Sequence, residues 1–92
     1  MSPLDAVVHD VLAIVQRVAG PSRTPEGAGP DTRLADGFWL DSIEMLDVVL
    51  ACEQHFGIVF EEGRDLTPDS LESARHLAVV VHARMHERGG AS

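Results

Sequence analysis

Apolar residues recur at helical spacing in three stretches of the chain. Leu4, Val7, Val8, Val11, Ile14, Val15 and Val18 form the first stripe, the repeat of a helix with one buried face. Asp5, Asp10, Gln16 and Arg17 fall largely outside it. The spacing predicts a helix over 3–19. Pro3 suits a first helical position, and Gly20-Pro21 ends the element. Valine is a weak helix former, so this helix needs tertiary packing to hold it.

A second helix is predicted over 41–56. Asp41-Ser42-Ile43-Glu44 fits a capping box, a short polar cap with Glu three residues later. Ile43, Leu46, Val49, Leu50 and Phe56 supply an apolar face, with Leu46, Val49 and Phe56 assigned to the core. Ile43, Met45 and Leu50 fit either the core or an exposed apolar spot. Gly57 suits the C-terminal stop. A last helix is predicted over 74–87, with Ser73 as its cap and Leu77, Val80, Val81 and Met85 inward.

The connections are uneven. Residues 20–40 are broken by Gly20, Pro21, Pro25, Gly27, Gly29, Pro30 and Gly37. A loop this long in a small domain is unusual and often functional. Its far end is apolar, so Leu34, Phe38, Trp39 and Leu40 are expected to pin it, leaving 20–33 flexible. Ile58-Val59-Phe60 reads as a buried connector, residues 66–71 as one short helical turn, and residues 88–92 as a frayed tail. The sum is an all-α small helical bundle of three main helices and one short one, with an ordered core over about 3–87.

With 92 residues there is room for one small domain, read here as 1–92. Asp and Glu total 15 against 7 basic residues, all Arg, for a net charge of -8. Phosphate binding needs clustered Arg or Lys, so nucleic acid is not expected as a partner. No apolar run approaches a membrane span and no basic leader precedes one, so no membrane and a cytoplasmic location are expected. Cys52 is alone, which excludes an internal disulfide framework. It reads as a small core residue, and neither it nor His55 has a nucleophile's surroundings. His82 and His86 stand four apart, with Glu87 the one carboxylate close in sequence. They read as exposed histidines near a fraying end, with no metal expected.

The stretch from Leu34 to Leu46, with Asp41-Ser42-Ile43-Glu44 at its heart, resembles the phosphopantetheine attachment region of acyl carrier proteins. The resemblance continues through Val48-Val49-Leu50-Ala51-Cys52-Glu53-Gln54-His55-Phe56-Gly57-Ile58. In that family an Asp-Ser pair opens the second helix, an acidic residue follows, and the helix ends near Phe-Gly-Ile. The resemblance implies that Ser42 carries 4'-phosphopantetheine, transferred from coenzyme A by a phosphopantetheinyl transferase. The thiol of that arm would hold an acyl or aminoacyl group as a thioester, and the carrier would perform no catalysis itself. The implied partners are a loading enzyme and downstream synthases or transferases with basic docking patches.

Residue chemistry agrees with a phosphodiester on Ser42. Free N–H groups and the positive end of a helix favour a negative phosphate there. The competing reading is that Ser42 only helps cap the helix. Asp41, Glu44, Asp47 and Glu53 lie on or beside the second helix, and no Arg occurs from Asp41 to Gly63. With Ile43, Met45 and Leu50 they form the expected docking set, which steers encounter more than it adds affinity. The competing reading there is a solvated helix face. Many carriers have Gly three residues before the modified Ser, where this chain has Trp39. Trp39 either pins the loop to the bundle or contacts the arm or its cargo.

A chain starting at Met1 with short tails is expected to be a discrete, monomeric carrier, in polyketide, fatty acid or related specialised biosynthesis. An aminoacyl or peptidyl carrier of a nonribosomal peptide pathway is the alternative cargo class. An unmodified helical interaction module and a small metal-dependent enzyme are the alternatives of other kinds.

Overall fold

A computed structural model describes the chain from residue 2 to residue 91, and its side chains as far as residue 87. Among the described residues, three helices account for the regular structure: α1 (Pro3–Ala19), α2 (Ser42–Phe56) and α3 (Ala74–Ala91). Among the described residues there is no strand, only isolated bridges at Arg33–Ser73 and Glu62–Leu66. None of these helices is long and apolar enough to cross a membrane. α1 is the hub: α2 and α3 pack mainly on it and touch each other sparingly.

The stripe of α1 does what its spacing predicts. Val7, Val8, Val11, Ile14, Val15 and Ala19 are buried, and Leu4, Leu12 and Val18 pack at the margin. It starts at Pro3 as expected, capped by Ser2, whose hydroxyl accepts from the Asp5 N–H while the Asp5 carboxylate accepts from the Ser2 N–H. On α3 the buried positions are Ala74, Leu77, Ala78 and Val81. Val80 is partly covered, whereas Met85, expected inward, is exposed, and the covered side of that turn is taken by Arg84 in its ion pair with Asp65. The backbone of α3 continues to Ala91, so the expected tail over 88–91 is helical, and Ser92 lies outside the described residues.

Residues 20–33 wind through successive hydrogen-bonded turns. The end of this segment is fastened to the start of α3. Leu34 N–H donates to Glu72 O at 2.9 Å, Arg75 N–H to Pro30 O at 3.0 Å, and Arg75 pairs with Asp31 at 2.7 Å. Leu34, Phe38 and Leu40 are buried as expected. Gly37 is required by packing: a Cβ there would lie 2.4 Å from the Arg33 carbonyl oxygen.

Two expectations for the second half need correction. Leu66–Leu71 makes the single turn expected there but is not a fourth helix. Thr67 and Ser70 exchange the reciprocal bonds of a helix cap, Thr67 N–H donating to the Ser70 hydroxyl at 2.8 Å and Ser70 N–H to the Thr67 hydroxyl at 3.2 Å, but the chain makes no second turn before Ser73 caps α3. Only a turn is left there, closed by Leu71 N–H to Thr67 O. The connector after α2 alternates, with Ile58 and Phe60 buried and Val59 exposed. Ser73 does act as the predicted cap, its hydroxyl accepting from His76 N–H.

Candidate functional site at the first turn of α2

The first turn of α2 is closed by Asp41, whose backbone is extended (φ -85°) and whose carboxylate accepts from Glu44 N–H at 2.8 Å. Glu44 returns the bond, accepting from Asp41 N–H at 3.2 Å. Asp41 therefore performs the capping, and Ser42 follows it as the first helical residue. Ser42 is exposed, and its hydroxyl hydrogen-bonds to none of the described residues. The reading of Ser42 as a helix cap thus falls to its neighbour.

The loop supplies a residue that the local sequence does not advertise. Arg23 grips both oxygens of Glu44 in a forked ion pair, with Nη1–Oε1 at 2.6 Å, and donates from Nε to Ala19 O at 3.2 Å. It joins the negative end of α1 to the first turn of α2, where each charge suits its helix end. The Arg23 hydrogen bond, reinforced by the Asp41 N–H, holds the Glu44 carboxyl below the usual carboxylate range. Glu44 raises the Arg23 guanidinium in turn. Arg23 is 21 residues from Glu44, so no helical periodicity points to the pair.

Beyond the first turn, α2 presents two apolar stripes. Met45, Val48, Val49, Cys52 and Phe56 face the core, with Val48, Val49 and Cys52 buried and the other two partly so. Ile43, Leu46 and Leu50 face solvent at 71%, 54% and 46% exposure. Leu46 is therefore not a core residue. Asp41 and Asp47 are exposed beside this outer stripe. Of the expected docking set, Asp41, Ile43, Asp47 and Leu50 share the accessible side. Glu44, Met45 and Glu53 are occupied inward, and Glu53 accepts from Phe60 N–H at 2.9 Å. Gly57 in the left-handed region ends α2, and Glu53 O receives the N–H groups of both Gly57 and Ile58.

Trp39 is exposed over 67% of its surface and has φ +57°, while its neighbours Phe38 and Leu40 are buried. It does not pin the loop, a task left to those neighbours. A bulky residue in the left-handed region is strained by about 1–3 kcal/mol and persists where flanking contacts dictate it. An open cavity of about 400 Å³ lies on the other side of α2, lined by Arg33, Ala35, Met45, Pro68, Leu71 and Glu72.

Cys52 is sealed in the core, and burial, with the Glu53 charge, pushes its thiol up to about 12. It is not a thiolate at neutral pH. His55 lies 3.4 Å from Asp10, linking α2 to α1. His82 and His86 bring their Nε2 atoms to 3.1 Å. Among the described residues no group of three or more His, Cys, Asp or Glu side chains is placed to hold a metal.

No protein-family model, curated protein or solved structure matches this chain.

Proposed function

We propose that the chain is a carrier that bears a 4'-phosphopantetheine arm on Ser42 and presents thioester-bound acyl or aminoacyl intermediates to partner enzymes. One observation carries the reading: Ser42 opens α2 with an exposed, uncommitted hydroxyl, while Asp41 beside it does the capping. The residues present fit a phosphodiester. The N–H groups of Ser42 and Ile43 have no partner among the described residues, and they stand at the positive end of a helix. Arg23 offsets the carboxylate of Glu44 at the same turn. The arm, when attached, supplies a thiol that forms the thioester. The chain itself positions the attachment point and recruits partners.

For recruitment, the outer stripe Ile43–Leu46–Leu50 is the apolar element, flanked by Asp41 and Asp47. It suits enzymes that offer an apolar recess rimmed by basic residues. Charges at such a rim speed encounter and set orientation. Trp39 is assigned to contact with the arm or its cargo, which gives its strained, exposed position a use.

Intact mass before and after incubation with coenzyme A and a broad-specificity phosphopantetheinyl transferase tests the reading. A single added phosphopantetheine on the native chain, absent from Ser42→Ala, is the expected result. No addition to a folded, initially unmodified chain refutes it. The exposed stripe of α2 favours one second reading, an unmodified helical interaction module. That module would keep full partner binding in Ser42→Ala and lose it in Leu46→Asp.

A further inference from the structure

The last helix carries a pair that the carrier reading leaves unused. His82 and His86 are four residues apart on α3, so one helical turn stacks them on the same face. Their Nε2 atoms are 3.1 Å apart, and the rings meet edge-on with centroids 4.3 Å apart. His86 is exposed and His82 half-buried, so the pair is within reach of solvent ions.

Without an ion, one Nε2–H donates to the other Nε2, which requires the two rings to be opposite tautomers. With both protons on Nδ1, the two Nε2 atoms carry free lone pairs at the same spacing. An ion at ~2.0–2.1 Å from each nitrogen, the usual metal–imidazole distance, would see them about 98° apart. That lies between the right angle of octahedral or square-planar sites and the wider angle of a tetrahedral one. Both rings sit on one regular helix, so the bite needs no backbone rearrangement. Glu87 follows directly but is held by Arg64 and Arg84 at 3.1 Å each. It leaves the pair as a two-nitrogen donor set.

We propose that His82 and His86 form a two-point chelate for a borderline divalent transition ion (Ni²⁺, Cu²⁺ or Zn²⁺), with its other coordination positions taken by water. Imidazole nitrogen suits these ions, whereas Mg²⁺ and Ca²⁺ prefer oxygen donors. The proposal gives these histidines a use beyond exposure, and it is independent of what happens at Ser42.

Calorimetric titration of the full, untagged chain with Ni²⁺ tests the site, with Mg²⁺ as the control ion. One equivalent of Ni²⁺ and no Mg²⁺ is the expected binding. His82→Gln and His86→Gln should each weaken it by at least about tenfold. The double variant should abolish it, with its helix content checked by circular dichroism. A triple variant, His9→Gln, His55→Gln and His76→Gln, should bind as the native chain does. Ni²⁺ held by the folded chain raises its Tm, so the native chain and the triple variant should shift and the double variant should not. Absence of binding to the native chain, equal binding by the double variant, or loss in the triple variant overturns the proposal.

Discussion

The first turns of α1 and α2 are closed by the same reciprocal pair of hydrogen bonds, yet they leave different groups free. In α1 a serine is the cap, so the Ser2 hydroxyl is taken by Asp5 N–H, and Pro3 fills the next position. In α2 an aspartate is the cap, and the serine moves one place inward, where its hydroxyl has nothing to do. The far partner of each box differs too. Asp5 is exposed, whereas Glu44 is locked by Arg23 from the preceding loop. The contrast separates two tasks that a serine can perform at a helix start. When aspartate takes the structural task, the serine is available for chemistry, and an added tether fixes the turn that presents it.

The sharpest way to break this comparison is to exchange the serines' fates. Ser42→Ala should abolish transferase-dependent mass gain entirely while leaving stability within about 0.5 kcal/mol, as for an uncommitted surface group. Ser2→Ala should do the reverse, keeping full modification and costing about 1 kcal/mol through the lost cap. Mass spectrometry and thermal unfolding of both variants read the two axes separately. Asp41→Ala comes next. Loss of the α2 cap should cost about 0.5–2 kcal/mol, and each kcal/mol lowers Tm by roughly 4–8 °C in a domain of this size.

A smaller effect is expected from the tether. Glu44 has a folded-state carboxyl held below its unfolded value. Its contribution to stability is therefore present above the ordinary carboxylate range and lost as pH falls through and below about pH 4. Asp31, lowered by its Arg75 hydrogen bond, adds to the same acid slope. So does Asp65, where burial pushes upward but the bonds from Arg84 and the Glu61 N–H outweigh it. Arg23→Gln should lower Tm modestly at neutral pH and reduce the loss of stability on acidification. An unchanged acid slope would show that Arg23 does not hold Glu44 in solution. The smallest expected change is in Trp39→Gly, which relieves the left-handed backbone and should hold or raise Tm by no more than about 1 kcal/mol in stability. Trp39 is the only tryptophan, so its fluorescence reports its surroundings alone. Emission should change on attachment of the arm, and an unchanged spectrum on a fully modified chain removes Trp39 from arm contact without touching Ser42.

Much of this arrangement was legible in the chain. α1 follows from one clean valine-rich stripe, and the Asp41/Glu44 box from its spacing. α2 was harder because it carries two apolar stripes. Positions 45, 48, 49, 52 and 56 form one, and 43, 46 and 50 the other. Reading Leu46 into the first mixed them, although its spacing from Ile43 and Leu50 belongs to the second. Over 66–71 the Thr67/Ser70 pair starts a turn, but only one i→i+4 bond follows it, and local sequence does not show that the chain would turn into α3 so soon. Arg23 was invisible for a different reason. Its partner lies across a loop, and the chain has no local pattern that records which loop residue returns to which helix.

The burial of Cys52 bears on how the protein can be followed. With lysine absent from the sequence and the sole cysteine sealed among core side chains, the folded polypeptide offers a maleimide no accessible thiol and gives an amine reagent no side chain to attack. A chemical label of either kind therefore starts from a nearly blank background. On this protein, a fast-reacting thiol is a direct sign that something has been added to the folded chain or that the core has opened, and denaturing the sample tells the two apart.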